Sequence, residues 1–373
     1  MVNSQRLSTL IRTLIAIDSQ NPPGNESAIA RFVCSYLRKM GLEPRTVEYA
    51  KDRTNVLCRM AGGGPGTLLL TPHLDTVPAG KGWKRDPFNA VLEKGRLYGL
   101  GTTDCKGNLA CTLEAMNSLI DERVRLRYDI LFAATADEES GSVLGLEPLL
   151  KDGTLKPDAA VVLDVEDFHI IVAQKGLMHV RLRVKGKRAH GAYPWNGENA
   201  IDVMAAILCD LKKFRPAYRK NPYLREPTVN AGTIKGGDKI NVVADWCEVE
   251  LDLRFLPGMR PAALLSGLKT AARRHARKFE VEVLGVQQPY EIGEGHRLVT
   301  QMKKAMTSRG IRPMLKGSEG ATVISFFQKA GIPSIATGFG TEGNCHVNDE
   351  YVKADNLFRG AGVIEEFLRT FSF

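Results

Sequence analysis

Short unbroken apolar runs, set between segments with helical periodicity, constrain this chain more than any other feature. Thr67–Thr71, Asp129–Ala136, Ala159–Leu163 and Pro333–Thr337 show no polar–apolar alternation. A strand with one wet face alternates with period two, whereas a strand covered on both faces reads as a continuous apolar run. A helical pattern from about Lys106 to Asp121 and others lie between the runs. The expected class is therefore α/β, with a largely parallel or mixed sheet covered by helices. Two amphipathic helices open it. Leu7, Leu10, Ile11, Leu14 and Ile15 share one face, as do Ile29, Phe32, Val33, Tyr36, Leu37 and Met40, with Gly41 as a stop. A hairpin is expected over Ala90–Tyr98, turning at Lys94-Gly95.

The middle of the chain reads differently. Between Leu177 and Val184, apolar Met178, Val180, Leu182 and Val184 alternate with Leu177, His179, Arg181 and Arg183. A helix over about Asn199–Phe214, strands at Thr228–Ile234 and Trp246–Phe255, a helix over Pro261–Lys278 and a strand over Phe279–Val286 follow. This β-α-β-β-α-β order is that of a ferredoxin-like α+β unit. The simplest organisation is one α/β domain in two segments, 1–174 and 287–373, with the smaller domain inserted over 175–286.

Composition removes several function classes. With 43% hydrophobic and 25% charged residues, the chain is an ordinary globular protein. No apolar stretch approaches the ~18 residues of a membrane helix, so no membrane partner is expected. The net charge of +9 is dispersed among acidic residues rather than gathered in a patch, which argues against nucleic acid. Seven cysteines, an odd number without a C-x-x-C pair, argue against a disulfide framework and for a reducing cytoplasm. The first helix also lacks the apolar core and cleavage site of a signal peptide.

Four candidate loops share one position. His73-Leu74-Asp75, Asp137-Glu138-Glu139, Asp164 and the loop holding His346 each follow an apolar run. Ligand crevices of open α/β sheets lie at the carboxyl ends of strands, so these side chains can converge. Asp104, in a Gly-rich loop before a helix, is the fifth candidate. Each residue alone reads as a satisfied loop histidine or a solvated acid; together they form an N/O donor set suited to zinc, cobalt or manganese. Asp104, Glu139 and Asp164 carry three negative charges, which two divalent ions and a hydroxide neutralise. A single ion leaves the cluster with a net negative charge.

The motifs His73-Leu74-Asp75-Thr76-Val77-Pro78, Tyr98-Gly99-Leu100-Gly101-Thr102-Thr103-Asp104-Cys105-Lys106-Gly107, Asp137-Glu138-Glu139-Ser140-Gly141 and Cys345-His346-Val347-Asn348-Asp349-Glu350-Tyr351 resemble a co-catalytic zinc family. Its members include acetylornithine deacetylase, succinyl-diaminopimelate desuccinylase, aminoacylase and glutamate carboxypeptidase. The resemblance implies two divalent ions, most simply zinc, with cobalt or manganese as alternatives. It makes Asp104 the bridging carboxylate, His73 and Asp164 ligands of one ion, and Glu139 and His346 ligands of the other. Asp75 becomes the carboxylate that orients His73, and Glu138 the general base. His190, in Ala189-His190-Gly191, is implied to reach the substrate carbonyl, and Asn241 and Arg254 to bind substrate. A non-proline cis peptide between Asp104 and Cys105 is also implied. The inserted domain becomes a lid or dimerisation domain, and the chain a homodimer.

The implied reaction is hydrolysis of N-acyl amino acids or short peptides with a free carboxylate. A narrow biosynthetic deacylase and a broader carboxypeptidase or dipeptidase both remain open. The contrasting class, a non-catalytic metal-containing binding protein, has no use for Glu138 beside Glu139. Four departures from the family pattern matter. Leu100 and Cys105 replace the usual Arg and Met, Asp164 replaces a common Glu so that Glu166 is a rival ligand, and Glu319 stands in Ser318-Glu319-Gly320-Ala321 where Thr-Asp-Ala is frequent.

Overall fold

The unbroken apolar runs become the central strands of one mixed sheet in the computed structural model, which describes residues 1–373. Strand order is Arg45–Glu48, Thr54–Met60, Asp129–Ala134, Thr67–Thr71, Ala159–Leu163, Ser334–Thr337, His169–Gln174. Thr67–Thr71 runs parallel to Asp129–Ala134 and Ala159–Leu163, and Ala159–Leu163 parallel to Ser334–Thr337; the outer pairs are antiparallel. Every residue of Ala159–Leu163 is buried, as the absence of alternation requires. The parallel strands therefore end together at one edge.

The chain divides into two compact units. One comprises Met1–Val172, Ile292–Lys316 and Thr322–Phe373; the other comprises Ala173–Glu291 and Gly317–Ala321. In the first unit, helices Ser4–Ile15, Lys106–Asp121 and Ala354–Thr370 pack together. Lys106–Asp121 is buried along nearly its whole length, including Glu114. That carboxylate accepts hydrogen bonds from Arg6 Nε (2.6 Å), Arg6 Nη2 (2.8 Å) and the Asn3 N–H (2.6 Å), without which burying it would be prohibitive.

The second unit is an antiparallel sheet in the order Thr228–Gly236, Trp246–Phe255, Gly176–Lys185, Lys278–Gln287. This is the ferredoxin-like arrangement expected from the element order. Met178, Val180, Leu182 and Val184 point to one face, where Val249, Leu251, Met204, Ile207, Leu264 and Leu268 complete a core with helices Ala200–Leu211 and Pro261–His275. The other face carries exposed ion pairs such as Arg183–Glu248 and Lys185–Glu280, a kind that adds little stability.

Sequence periodicity did not mark five short strands: Arg45–Glu48, His169–Gln174, Tyr290–Glu291, Met314–Ser318 and Tyr351–Lys353. Arg45–Glu48 and Met314–Ser318 are largely exposed, with no apolar pattern to read. After Gln287 the helices Arg297–Ser308 and the short Ile324–Lys329 flank the strand Met314–Ser318. No helix is long and apolar enough to cross a membrane.

Candidate metal centre

His73 is placed by the sheet. Two residues beyond the strand Thr67–Thr71, it bridges to Thr135, and the Leu74 N–H donates to the Thr135 carbonyl at 2.8 Å. The buried imidazole sets Nδ1 3.0 Å from the Asp75 carbonyl oxygen and 3.5 Å from its carboxylate, and aims Nε2 at Asp104 Oδ1, 2.9 Å away. Asp75 does a second task. Its oxygens accept the N–H groups of Glu138 and Glu139, both at 3.1 Å, and the side-chain amide of Asn21 at 2.9 Å. Asp75 thus meets His73 Nδ1 through its backbone carbonyl, while its carboxylate fixes the turn that follows Asp129–Ala134.

Asp104 faces both histidines. Oδ1 meets His73 Nε2, and Oδ2 lies 3.0 Å from His346 Nε2, which also sits 3.1 Å from Glu139 Oε2. Asp164 follows its strand directly, its N–H donating to the Thr337 carbonyl at 3.0 Å. Gly338 permits this closure, since a Cβ there would lie 1.6 Å from the Asp164 carbonyl oxygen. Donor atoms of His73, Asp104 and Asp164 lie within 4.8 Å of one another, and so do those of Asp104, Glu139 and His346. The Asp104-Cys105 peptide is cis.

The electrostatics state what the cluster lacks. Burial pushes the Glu138 carboxyl well above its usual range, with Asp164, Asp104 and Glu139 adding to the effect. Burial likewise raises Glu139, and lifts Asp164 to about 6 with help from Asp104. Hydrogen bonds to Asp104 and Glu139 raise His346 to about 11. Asp104 is held below the carboxylate range because His346 and His73 outweigh its burial. Acids driven toward protonation beside imidazoles driven to hold protons are what a donor set shows without a cation to neutralise it, so the residues fit divalent ions.

The remaining candidates fall as follows. Glu166 stands outside both donor groups, with Oε2 buried and unpartnered, and its carboxyl is pushed up to about 8 by burial and Asp164. His190, Asn241, Arg254 and Glu319 belong to the second unit. His190 is exposed; its Nδ1 accepts the Ala192 N–H at 3.0 Å, which leaves Nε2 to carry the proton. The Asn241 carbonyl accepts the Gly191 N–H at 2.8 Å, so His190 and Asn241 lie on adjoining backbone. Arg254 donates from Nε (2.7 Å) and Nη2 (2.9 Å) to Asp252. Glu319 accepts from buried Lys175 (2.6 Å) and the Arg225 N–H (2.8 Å).

Sequence reasoning missed a supporting layer. Arg53 donates to both oxygens of Glu26 and to Asp137 Oδ1, all at 2.8 Å, beneath the Glu138 turn. Removing one partner of such a buried pair costs about 3–5 kcal/mol. Glu350 accepts three backbone N–H groups of the Asp104 loop.

Residues 69–370 match Peptidase family M20/M25/M40. The chain belongs to this family. As a member of this family it is a metal-dependent hydrolase. The hydrolase is 31% identical over 353 residues to an acetylornithine deacetylase of Photorhabdus laumondii, covering 91% of this chain and 89% of that protein. It is 30% identical to one of Proteus mirabilis over 358 residues, covering 91% and 88%. Among solved structures, an aminopeptidase of Bacillus cereus, PepT, superposes with a TM-score of 0.84 at 24% identity, covering 99% of this chain and 98% of that one. A tripeptidase of Staphylococcus aureus does so at 0.83 and 25%, with the same coverage.

Proposed function

We propose that this M20 hydrolase cleaves the amide bond of an N-acylated amino acid with a free carboxylate. Two divalent ions are held by His73, Asp104 and Asp164 and by Asp104, Glu139 and His346, with Asp104 shared. One observation carries the reading: Asp104 turns one oxygen to each histidine, at 2.9 and 3.0 Å. Donors about 2.0–2.1 Å from one tetrahedral ion stand roughly 3.3 Å apart, a separation of this scale. The N/O set favours zinc, with cobalt or manganese as substitutes. When bound, such ions polarise the amide carbonyl and lower the pKa of water from about 15.7 to about 7.

The chain's own residues do the rest. Glu138, next to the donor Glu139 and outside both donor groups, takes the proton of the attacking water and returns it to the leaving nitrogen. Asp75 keeps Nδ1 of His73 protonated, so that Nε2 is the free donor. His190 donates from Nε2 to the oxygen that becomes negative in the transition state. We assign Asn241 and Arg254 to the substrate, with Arg254 gripping its carboxylate by a two-pronged bond; Asp252 holds that guanidinium in orientation.

Relatives at 30–31% identity named acetylornithine deacetylase favour an N-acetyl substrate, whereas the aminopeptidase and tripeptidase neighbours favour a second reading, short peptides. A hydrolysis screen of N-acetylornithine, other N-acetyl and N-succinyl amino acids and di- and tripeptides, run with zinc, cobalt and manganese in turn, separates the two. The N-acetyl compounds are expected to turn over fastest. A tripeptide preferred over all of them overturns the deacylase reading in favour of the second. Unpaired cysteines, five of them buried, support a reducing cytoplasm.

We also propose a homodimer in which His190 is presented to a second copy. The strand Thr228–Gly236 has a neighbour on one side only, an edge that another chain can cover, and two-fold pairing is the commonest oligomer symmetry. Mixing inactive His190→Ala chains with inactive Glu138→Ala chains is expected to restore activity in the heterodimer. No recovery after verified subunit exchange means that the histidine acts within its own chain or not at all.

A further inference from the structure

Glu350 is 1% exposed and sits on the segment that carries His346, four residues earlier. Its Oε1 accepts the N–H groups of Thr103 (2.7 Å) and Asp104 (3.1 Å), and its Oε2 accepts that of Gly101 (3.0 Å). The Gly99 N–H donates to its backbone carbonyl, also at 3.0 Å. Beneath this loop runs the buried stem of Lys106, whose Nζ donates to the Ile17 carbonyl at 2.7 Å. The same segment anchors another loop: the Asp349 carboxylate accepts the N–H groups of Lys84 and Arg85, and the Asn348 side chain donates to the Lys81 carbonyl. His346 thus lies on a five-residue stretch, His346–Glu350, tied to its surroundings at three residues, and the tie through Glu350 ends on the backbone of the Asp104 loop.

We infer that Glu350 is the positioning residue that couples the two halves of the metal centre, locking the Asp104 backbone to the segment that presents His346. The inference rests on the assignment of Asp104 and His346 as ligands. It follows from geometry: Asp104 serves both ions only if its carboxylate stays aimed between two histidines that come from different loops, and Glu350 holds that aim from one loop onto the other. A carboxylate is needed because all three partners are donors. An amide in its place keeps an oxygen for Thr103 and Asp104 but turns N–H groups toward the Gly101 N–H.

The test is cobalt titration of the metal-stripped full chain, followed by visible absorbance and calorimetry, with melting of the metal-free proteins alongside. Partners behind a metal ligand change affinity by roughly 10–100-fold. Glu350→Gln is expected to weaken cobalt about tenfold and Glu350→Ala about a hundredfold, in both binding steps, with a shifted cobalt spectrum. If Glu350→Ala does not fold, Glu350→Gln carries the test alone. Unchanged titration and spectrum with a lowered melting temperature overturn the coupling and leave Glu350 a packing residue. An Asp104→Ala control that binds two cobalt ions normally overturns the ligand assignment instead, so the two failures are distinguishable.

Discussion

Glu138→Ala is expected to bind both ions as the parent does and to lose about 10²–10⁴-fold in kcat. The size follows from the role. Glu138 enters neither donor group, so on the proposed role its removal costs no metal ligand and takes away only the proton carrier. Its backbone N–H, held by Asp75 at 3.1 Å, is kept in the alanine variant, so Glu139 remains in place. Metal analysis of the purified variant alongside steady-state kinetics checks both halves. A loss below tenfold removes Glu138 from the proton transfer, and a loss of metal makes it a ligand.

The contrast between Glu138 and Glu139 shows what sequence can and cannot convey. Adjacent acids after a buried strand pointed to a shared edge, and parallel strands ending together bring that edge about. Which acid reaches inward as a ligand depends on the turn at Asp137, whose φ of 66° no local pattern announces. The ferredoxin-like unit was legible because one half-buried strand, Gly176–Lys185, alternates cleanly. His169–Gln174 went unmarked although Ile170–Ala173 is an apolar run of the same kind as Ala159–Leu163, shorter by one residue and set directly before the alternating strand.

Long-range polar support escaped for a different reason. Arg53 lies 27 residues from Glu26 and 84 from Asp137, and a lone arginine in a turn reads as solvated surface. Glu350 stood in full view within the His346 motif, yet a spacing of side chains says nothing about which backbone N–H groups a carboxylate will gather. Arg254 and Asp252 were nearer to legible: two residues apart on a strand, they must share a face, and the pair they form is the consequence.

Asp104→Ala is expected to have the larger effect, abolishing binding of both ions and with it all measurable turnover. Each other donor belongs to one group; Asp104 belongs to both. Removing its carboxylate leaves His73 and Asp164 in one group and Glu139 and His346 in the other, one donor short of the three protein ligands of a catalytic zinc site. His73→Ala, by comparison, removes a donor from one group only and is expected to lower occupancy without emptying the second. Stability gives an independent readout. An ion bound only by the folded chain stabilises it by about 2.7 kcal/mol when present at 100 times its dissociation constant. Chelation should therefore lower the melting temperature of the parent protein and leave that of Asp104→Ala unmoved. A variant that still takes up two ions per chain, or whose melting still responds to chelator as the parent's does, shows that Asp104 is not the bridge.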